Sequence, residues 1–191
     1  MYPKTTRCLA FIRQRGLSAR ALVAIGLILG LATADLWRKR REPALVVTRL
    51  AERKVVPDFA LPLVQGGFWR LSEHHGHVVI VNMWATWCQP CRRELPVLAE
   101  LAQQDGPRGL DVVGVALDED DRGGRVEKIL RSEPVGYSIA IPDRTLHMGQ
   151  DNQVIPTTVL IDRQGRVAAR YVGAFDTEYL RRAVGQLLQE R

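Results

Sequence analysis

Seven residues, His77 to Met83 (HVVIVNM), run almost without a polar interruption and pass directly into Trp84-Ala85-Thr86-Trp87-Cys88-Gln89-Pro90-Cys91. Beyond the cysteines Leu95, Leu98, Ala99, Leu101 and Ala102 recur at helical spacing, up to a stop at Asp105-Gly106-Pro107. A Val/Ile-rich run of this kind is a central strand covered on both faces, so layers must pack on each side of its sheet. The chain is thereby committed to a buried strand that turns into a helix, with two cysteines at the junction.

The remaining pattern supplies the layers. Phe59 to Leu63 and Phe68 to Leu71 read as two short strands around Gln65-Gly66-Gly67, an N-terminal β-hairpin. Leu110 to Leu117 is a second buried strand, and Gly124 to Ser132 a short helix with Asp118, Glu119, Asp120 and Asp121 at its start. Tyr137 to Ile141, Thr157 to Ile161 and Val167 to Tyr171 read as strands. Asp176 or Thr177 caps a final helix with Leu180, Val184, Leu187 and Leu188 on one face. The order β-β-β-α-β-α-β-β-β-α predicts an α/β fold, a mixed central sheet flanked by helices.

The net charge of +6 on 191 residues raises the question of a nucleic-acid partner. Its distribution answers it. Through Lys54 the chain has 12 basic and 3 acidic residues, net +9, whereas the rest has 15 against 18, net −3. A net-negative domain is poorly matched to a phosphate backbone, so nucleic acid is not expected as a partner. The positive excess flanks Ala21 to Ala34 (ALVAIGLILGLATA), an unbroken apolar or small stretch. With Leu36 and Trp37 it makes residues 21–37 a membrane anchor, or alternatively a signal sequence cleaved near Ala32-Thr33-Ala34. The basic cluster Arg38 to Arg41 favours the uncleaved anchor. The organisation expected is a basic segment at 1–20, the anchor at 21–37, a basic linker at 38–55 and the folded domain at 56–191.

The chemistry lies in the cysteine pair. Cys88 at a helix N-terminus faces unpaired N–H groups and the positive end of the helix dipole, which favour thiolate over thiol. Cys91, one turn in, is shielded. The spacing lets the two close a disulfide with little backbone movement, and Pro90 stiffens the turn. Cys88 is suited to attack a substrate disulfide, and Cys91 to resolve the mixed disulfide that forms. Zinc is disfavoured, because the remaining cysteine, Cys8, lies before the apolar stretch and no second CxxC or CxxH is present. A Cu(I)-binding metallochaperone using the same pair is the alternative.

The segment VVIVNMWATWCQPCRRELPVL, Val78 to Leu98, resembles the active-site segment of the thioredoxin superfamily, and within it the membrane-anchored TlpA/ResA-like thiol-disulfide oxidoreductases. Val154 to Asp162 with Gln164-Gly165-Arg166 resembles that family's cis-proline strand and turn, and Pro57-Asp58-Phe59 its front. The resemblance spans Val56 to the C-terminus. It implies a thioredoxin-like fold and a cis Ile155–Pro156 bond facing the cysteines. The Ile155 backbone would then pair with an extended substrate, with Trp87 and Pro90 also at the substrate surface. It implies a kink at Pro96, and a proton-handling role for Glu94, one turn beyond Cys91, where Asn82 stands in place of thioredoxin's buried aspartate. It also implies a periplasm-facing domain on a bacterial inner membrane, a membrane electron-donor thiol reductase, and protein disulfide or thiol clients such as apocytochrome c or copper-site cysteines. Gln89-Pro90 puts no cationic or histidine side chain between the cysteines, which favours a reductase over an oxidant.

Other residues read as non-catalytic. His74, His75 and His77 are expected to be solvated histidines without a metal, since a loop running into a strand makes one-sided ligand geometry difficult. No phosphate loop, nucleophile elbow or nucleotide fingerprint is present, so no cofactor is expected. The lone peroxidatic cysteine of a peroxiredoxin is absent too.

Overall fold

The computed structural model describes Gly30 and residues 48–118, 124–142 and 154–190. The basic segment at 1–20 and the anchor at 21–37 therefore lie outside the described residues, Gly30 excepted. Among the described residues no helix is long and apolar enough to cross a membrane.

The Val/Ile-rich run forms β3 (Val78–Trp84), buried at all seven positions. Its neighbours are β1 (Ala60–Pro62), β2 (Phe68–Arg70), β4 (Leu110–Ala116), β5 (Ser138–Ala140), β6 (Thr157–Ile161) and β7 (Val167–Val172). The helices are α1 (Gln89–Asp105), α2 (Gly124–Ser132) and α3 (Thr177–Gln189), with a 3-10 turn at Leu71–His74. The five-stranded sheet has the order β5-β4-β3-β6-β7, parallel from β3 to β5 and antiparallel through β6 and β7. The predicted order of elements holds, with boundaries shifted by one or two residues.

Period-two alternation sends β3 side chains to two different layers. Val78 and Ile80 pack with Leu98 and Leu101 of α1 and Leu180, Val184 and Leu187 of α3. Val79, Val81 and Met83 pack with Leu61, Trp69 and Leu71 of the hairpin region. The hairpin thus does for one face what α1 and α3 do for the other, so the sheet is not covered by helices alone. Gly66 and Gly67 turn the hairpin at φ 91° and 79°, a region open to glycine at no steric cost.

Both outer strands are covered as well. Val64 N–H donates to Ile139 O and Ile141 N–H to Pro62 O, laying the hairpin along β5. Thr48 N–H donates to Ala168 O, and Val167 N–H to Lys54 O, laying the end of the linker along β7. Packing of the domain therefore begins ahead of Val56. Arg53, 8% exposed, bonds Asp162 and Glu190 there and ties this segment to α3. Such covering protects strand edges from pairing with other chains.

Candidate active site

Cys88 and Cys91 form a disulfide where β3 hands over to α1. Cys88 is the N-cap of α1, and its Sγ accepts the Cys91 N–H at 3.3 Å. The Cys88 N–H donates to Ala85 O, and Cys88 O accepts from Arg92. Sulfur thus takes the place of the oxygen that caps most helices, at the point where the dipole stabilises negative charge. Cys88 keeps 5% of its surface and Cys91 none. Pro90 occupies the first turn of the helix, exposed, where its missing N–H costs nothing. Pro96 lies inside the continuous helix.

The loop before Cys88 is held from β4. The Asp118 carboxylate, 7% exposed, accepts the Thr86 N–H at 3.0 Å and the Thr86 hydroxyl at 2.5 Å. From sequence, Asp118 is expected at the start of the next helix. Its bonds are instead to the active-site loop, because the end of β4 lies beside the end of β3: Trp84 pairs with Ala116. Trp87 stands at the rim, 69% exposed.

Glu94 is buried on the face of α1 that also carries Cys91, Leu95, Leu98 and Leu101. One carboxylate oxygen accepts the Phe175 N–H at 3.0 Å, the other the Asn82 Nδ2 at 3.3 Å. Asn82 also donates to the Thr158 hydroxyl at 2.9 Å, its partner across β3 and β6. Burial pushes the Glu94 carboxyl up from 4.5 to about 7, against the lowering effect of its two hydrogen bonds. Burial, and then the charge on Glu94, also push the Tyr137 phenol well above its ordinary value. Thr158 and Phe175 escaped the sequence reading. A threonine in a strand is unremarkable until the register sets it against Asn82, and Phe175 contributes through its backbone, which no side-chain pattern reveals.

The Ile155–Pro156 bond is cis. Ile155 packs against the cluster that contains Cys88, Cys91 and Trp84, so the distant proline strand and the cysteines meet as the resemblance implied. Neither the Ile155 N–H nor its C=O is hydrogen-bonded among the described residues. All seven expected site residues, Trp87, Cys88, Pro90, Cys91, Glu94, Ile155 and Pro156, therefore fall in one region at the C-terminal end of β3.

The redoxin family profile matches residues 51–188. The chain belongs to the redoxin family. Two curated relatives align along most of their lengths with this redoxin. A thiol-disulfide oxidoreductase ResA from Geobacillus kaustophilus is 32% identical over 136 residues, 71% of this chain and 77% of that one. A thiol:disulfide interchange protein DsbE from Pseudomonas aeruginosa is 34% identical over 139 residues, 72% and 75% of the respective chains. Among solved structures, a thioredoxin-family thiol:disulfide interchange protein from Chlorobium tepidum superposes with a TM-score of 0.64 at 27% identity, covering 73% of this chain and 99% of that one. Together with the CxxC disulfide, these matches make this redoxin a thiol-disulfide oxidoreductase of the TlpA/ResA-like type.

Of the three histidines near the other end of β3, His75 is exposed to solvent as expected, whereas His74 and His77 are tied to a shared carboxylate. His74 Nδ1 and His77 Nδ1 both bond Asp111 on β4. Asp111 pairs with Val79, which brings the start of β4 beside the histidine loop.

Proposed function

We propose that this oxidoreductase is a disulfide reductase for protein clients outside the cytoplasm, held at a bacterial inner membrane by residues 21–37 with its folded domain in the periplasm. The observation that carries the reading is the pairing of a capped, nearly enclosed Cys88 with a buried carboxyl one turn beyond Cys91. In the reduced protein the Cys88 thiolate attacks a client disulfide. The Cys88–client S–S bond forms, the client S–S bond breaks, and one client sulfur leaves as thiolate. Glu94, at a pKa near 7, then accepts the proton of the Cys91 thiol. The Cys91 thiolate attacks Cys88 Sγ, expels the second client sulfur and closes the disulfide. Two electrons have passed to the client.

Ile155 offers its N–H and C=O, unbonded among the described residues, to an extended client segment as an added strand, with Pro156, Pro90 and Trp87 bounding the site. Regeneration requires a membrane-bound dithiol donor that reduces the Cys88–Cys91 disulfide. Clients of the class to which apocytochrome c and copper-site cysteines belong suit such a reductase. The reduction potential tests the direction. A value near about −270 mV supports a reductase, whereas one near about −120 mV, typical of strong oxidants, reverses the assignment. Tight Cu(I) binding by the reduced domain without reduction of insulin disulfides would replace the enzyme reading with a copper carrier.

A further inference from the structure

At the pole of the sheet opposite the disulfide, the 3-10 turn Leu71–His74, the residue before β3 and the second residue of β4 converge. His74 Nδ1 lies 2.7 Å, and His77 Nδ1 2.6 Å, from one and the same oxygen, Asp111 Oδ2. The three donor atoms fall within 4.8 Å of one another. Two of the three side chains are fixed by the core. Asp111 stands in the β3–β4 ladder, and the His74 ring stacks on buried Trp69 at 4.4 Å and 16°. The third, His77, is half exposed and free to adjust, and it opens the cluster to solvent.

A carboxylate oxygen that receives two imidazole N–H bonds is the proton-filled counterpart of a three-ligand metal site. Moving the imidazole proton from Nδ1 to Nε2 on each ring turns both Nδ1 atoms into lone-pair donors aimed at one point. Zinc bonds of about 2.0–2.1 Å at tetrahedral angles set ligand atoms roughly 3.3 Å apart. The Nδ1–Oδ2 distances must then lengthen by about 0.7 Å, within reach of a rotation of His77. Two imidazoles and a carboxylate suit zinc-class dications, whereas calcium and magnesium prefer all-oxygen shells and Cu(I) prefers sulfur. Arg163, which comes near His77 beside Gly109, is turned onto the carbonyls of Gly76, Arg108 and Leu188. The length of β3, about 20 Å, separates the cluster from the cysteines.

We propose that His74, His77 and Asp111 bind a divalent transition-metal ion of the zinc class, which clips the Leu71–His74 turn to β4 and leaves one coordination position to water. The test uses the untagged full chain in its disulfide form, in which Cys88 and Cys91 cannot ligate, titrated calorimetrically with zinc chloride. The expected result is one equivalent bound with micromolar or tighter affinity, uncompeted by excess magnesium or calcium. His77→Gln weakens it at least tenfold, the His74→Gln/His77→Gln double variant abolishes it, and both variants reduce insulin like the wild type. Nitrogen NMR of the wild-type imidazoles provides a readout that needs no variant, and two Nδ1 resonances should shift on zinc addition. Absence of binding at millimolar zinc, equal binding by the double variant, or shifts confined to His75 or to Nε2 atoms would overturn the proposal and leave a hydrogen-bonded His-Asp-His cluster.

Discussion

Replacing Glu94 with Gln keeps the shape of the side chain and the acceptor for the Phe175 N–H while removing the buried charge. Glu94 is 5% exposed, and its carboxyl titrates near 7 in the folded protein rather than near the ordinary 4.5. The unfolded chain therefore binds fewer protons than the folded one between those two values, and stability falls as pH rises across that window. At about 1.4 kcal/mol per pKa unit the full shift corresponds to about 3 kcal/mol, and partial hydration at the mouth of the site trims this to about 2–3 kcal/mol. Wild type and Glu94→Gln should thus have similar pH responses below pH 4.5. Above pH 7 the variant should have gained about 2–3 kcal/mol relative to the wild type. Urea unfolding of the oxidised proteins at pH 4, 6 and 8 measures the difference. The same substitution should leave alkylation of Cys88 almost unchanged and slow resolution of a Cys88–peptide mixed disulfide by a factor of about 100 or more, the usual contribution of a positioned proton acceptor. Parallel stability curves would show that Glu94 is not held protonated by burial, and equal resolution rates would remove it from the proton transfer.

Two further substitutions probe the frame of the site. At Gly114, opposite Asn82, an added Cβ would sit 2.6 Å from Ile139 Cδ1, 3.2 Å from Trp84 Nε1 and 3.3 Å from the Tyr137 ring. Gly114→Ala should therefore lower unfolding stability by about 1–3 kcal/mol, and an unchanged urea midpoint would show that the packing yields. Arg53→Met leaves Asp162, which is 3% exposed, with Arg166 as its remaining cation and frees Glu190. A loss of about 3 kcal/mol is expected at neutral pH, and calorimetric Tm values matching the wild type would assign the network no role in stability. Burial by itself would raise the Asp162 carboxyl, yet bonds from Arg166, Arg53 and Gln164 hold it below 3.8. Its stabilisation is accordingly present above that value and lost in acid.

The elements were legible because their signals are local. The Val/Ile run of β3, the leucine spacing of α1 and the Asp176 cap of α3 each declare themselves within one window, and the cap bond from Tyr179 N–H to Asp176 is present. Cys88 at a helix start was legible for the same reason. Glu94 was reached through the family resemblance and its place one turn beyond Cys91, and only the fold shows it on the buried face with Cys91 and Leu95.

What the local pattern left open is what depends on register and on contacts between distant segments. Asn82 meets Thr158 across 76 positions, Glu94 meets the Phe175 amide across 81, and Thr86 meets Asp118 across 32. The hairpin's role as the second layer, and the convergence of His74 and His77 on Asp111, arise in the same way. Periodicity determines which face of a strand or helix is apolar, since that is a property of backbone geometry. It carries no information about which residue of another segment arrives opposite. The order of elements and the cysteine pair thus belonged to the chain as read, whereas the environment that raises the Glu94 carboxyl and the cluster at the far pole came into being only when β3, β4 and β6 were set side by side.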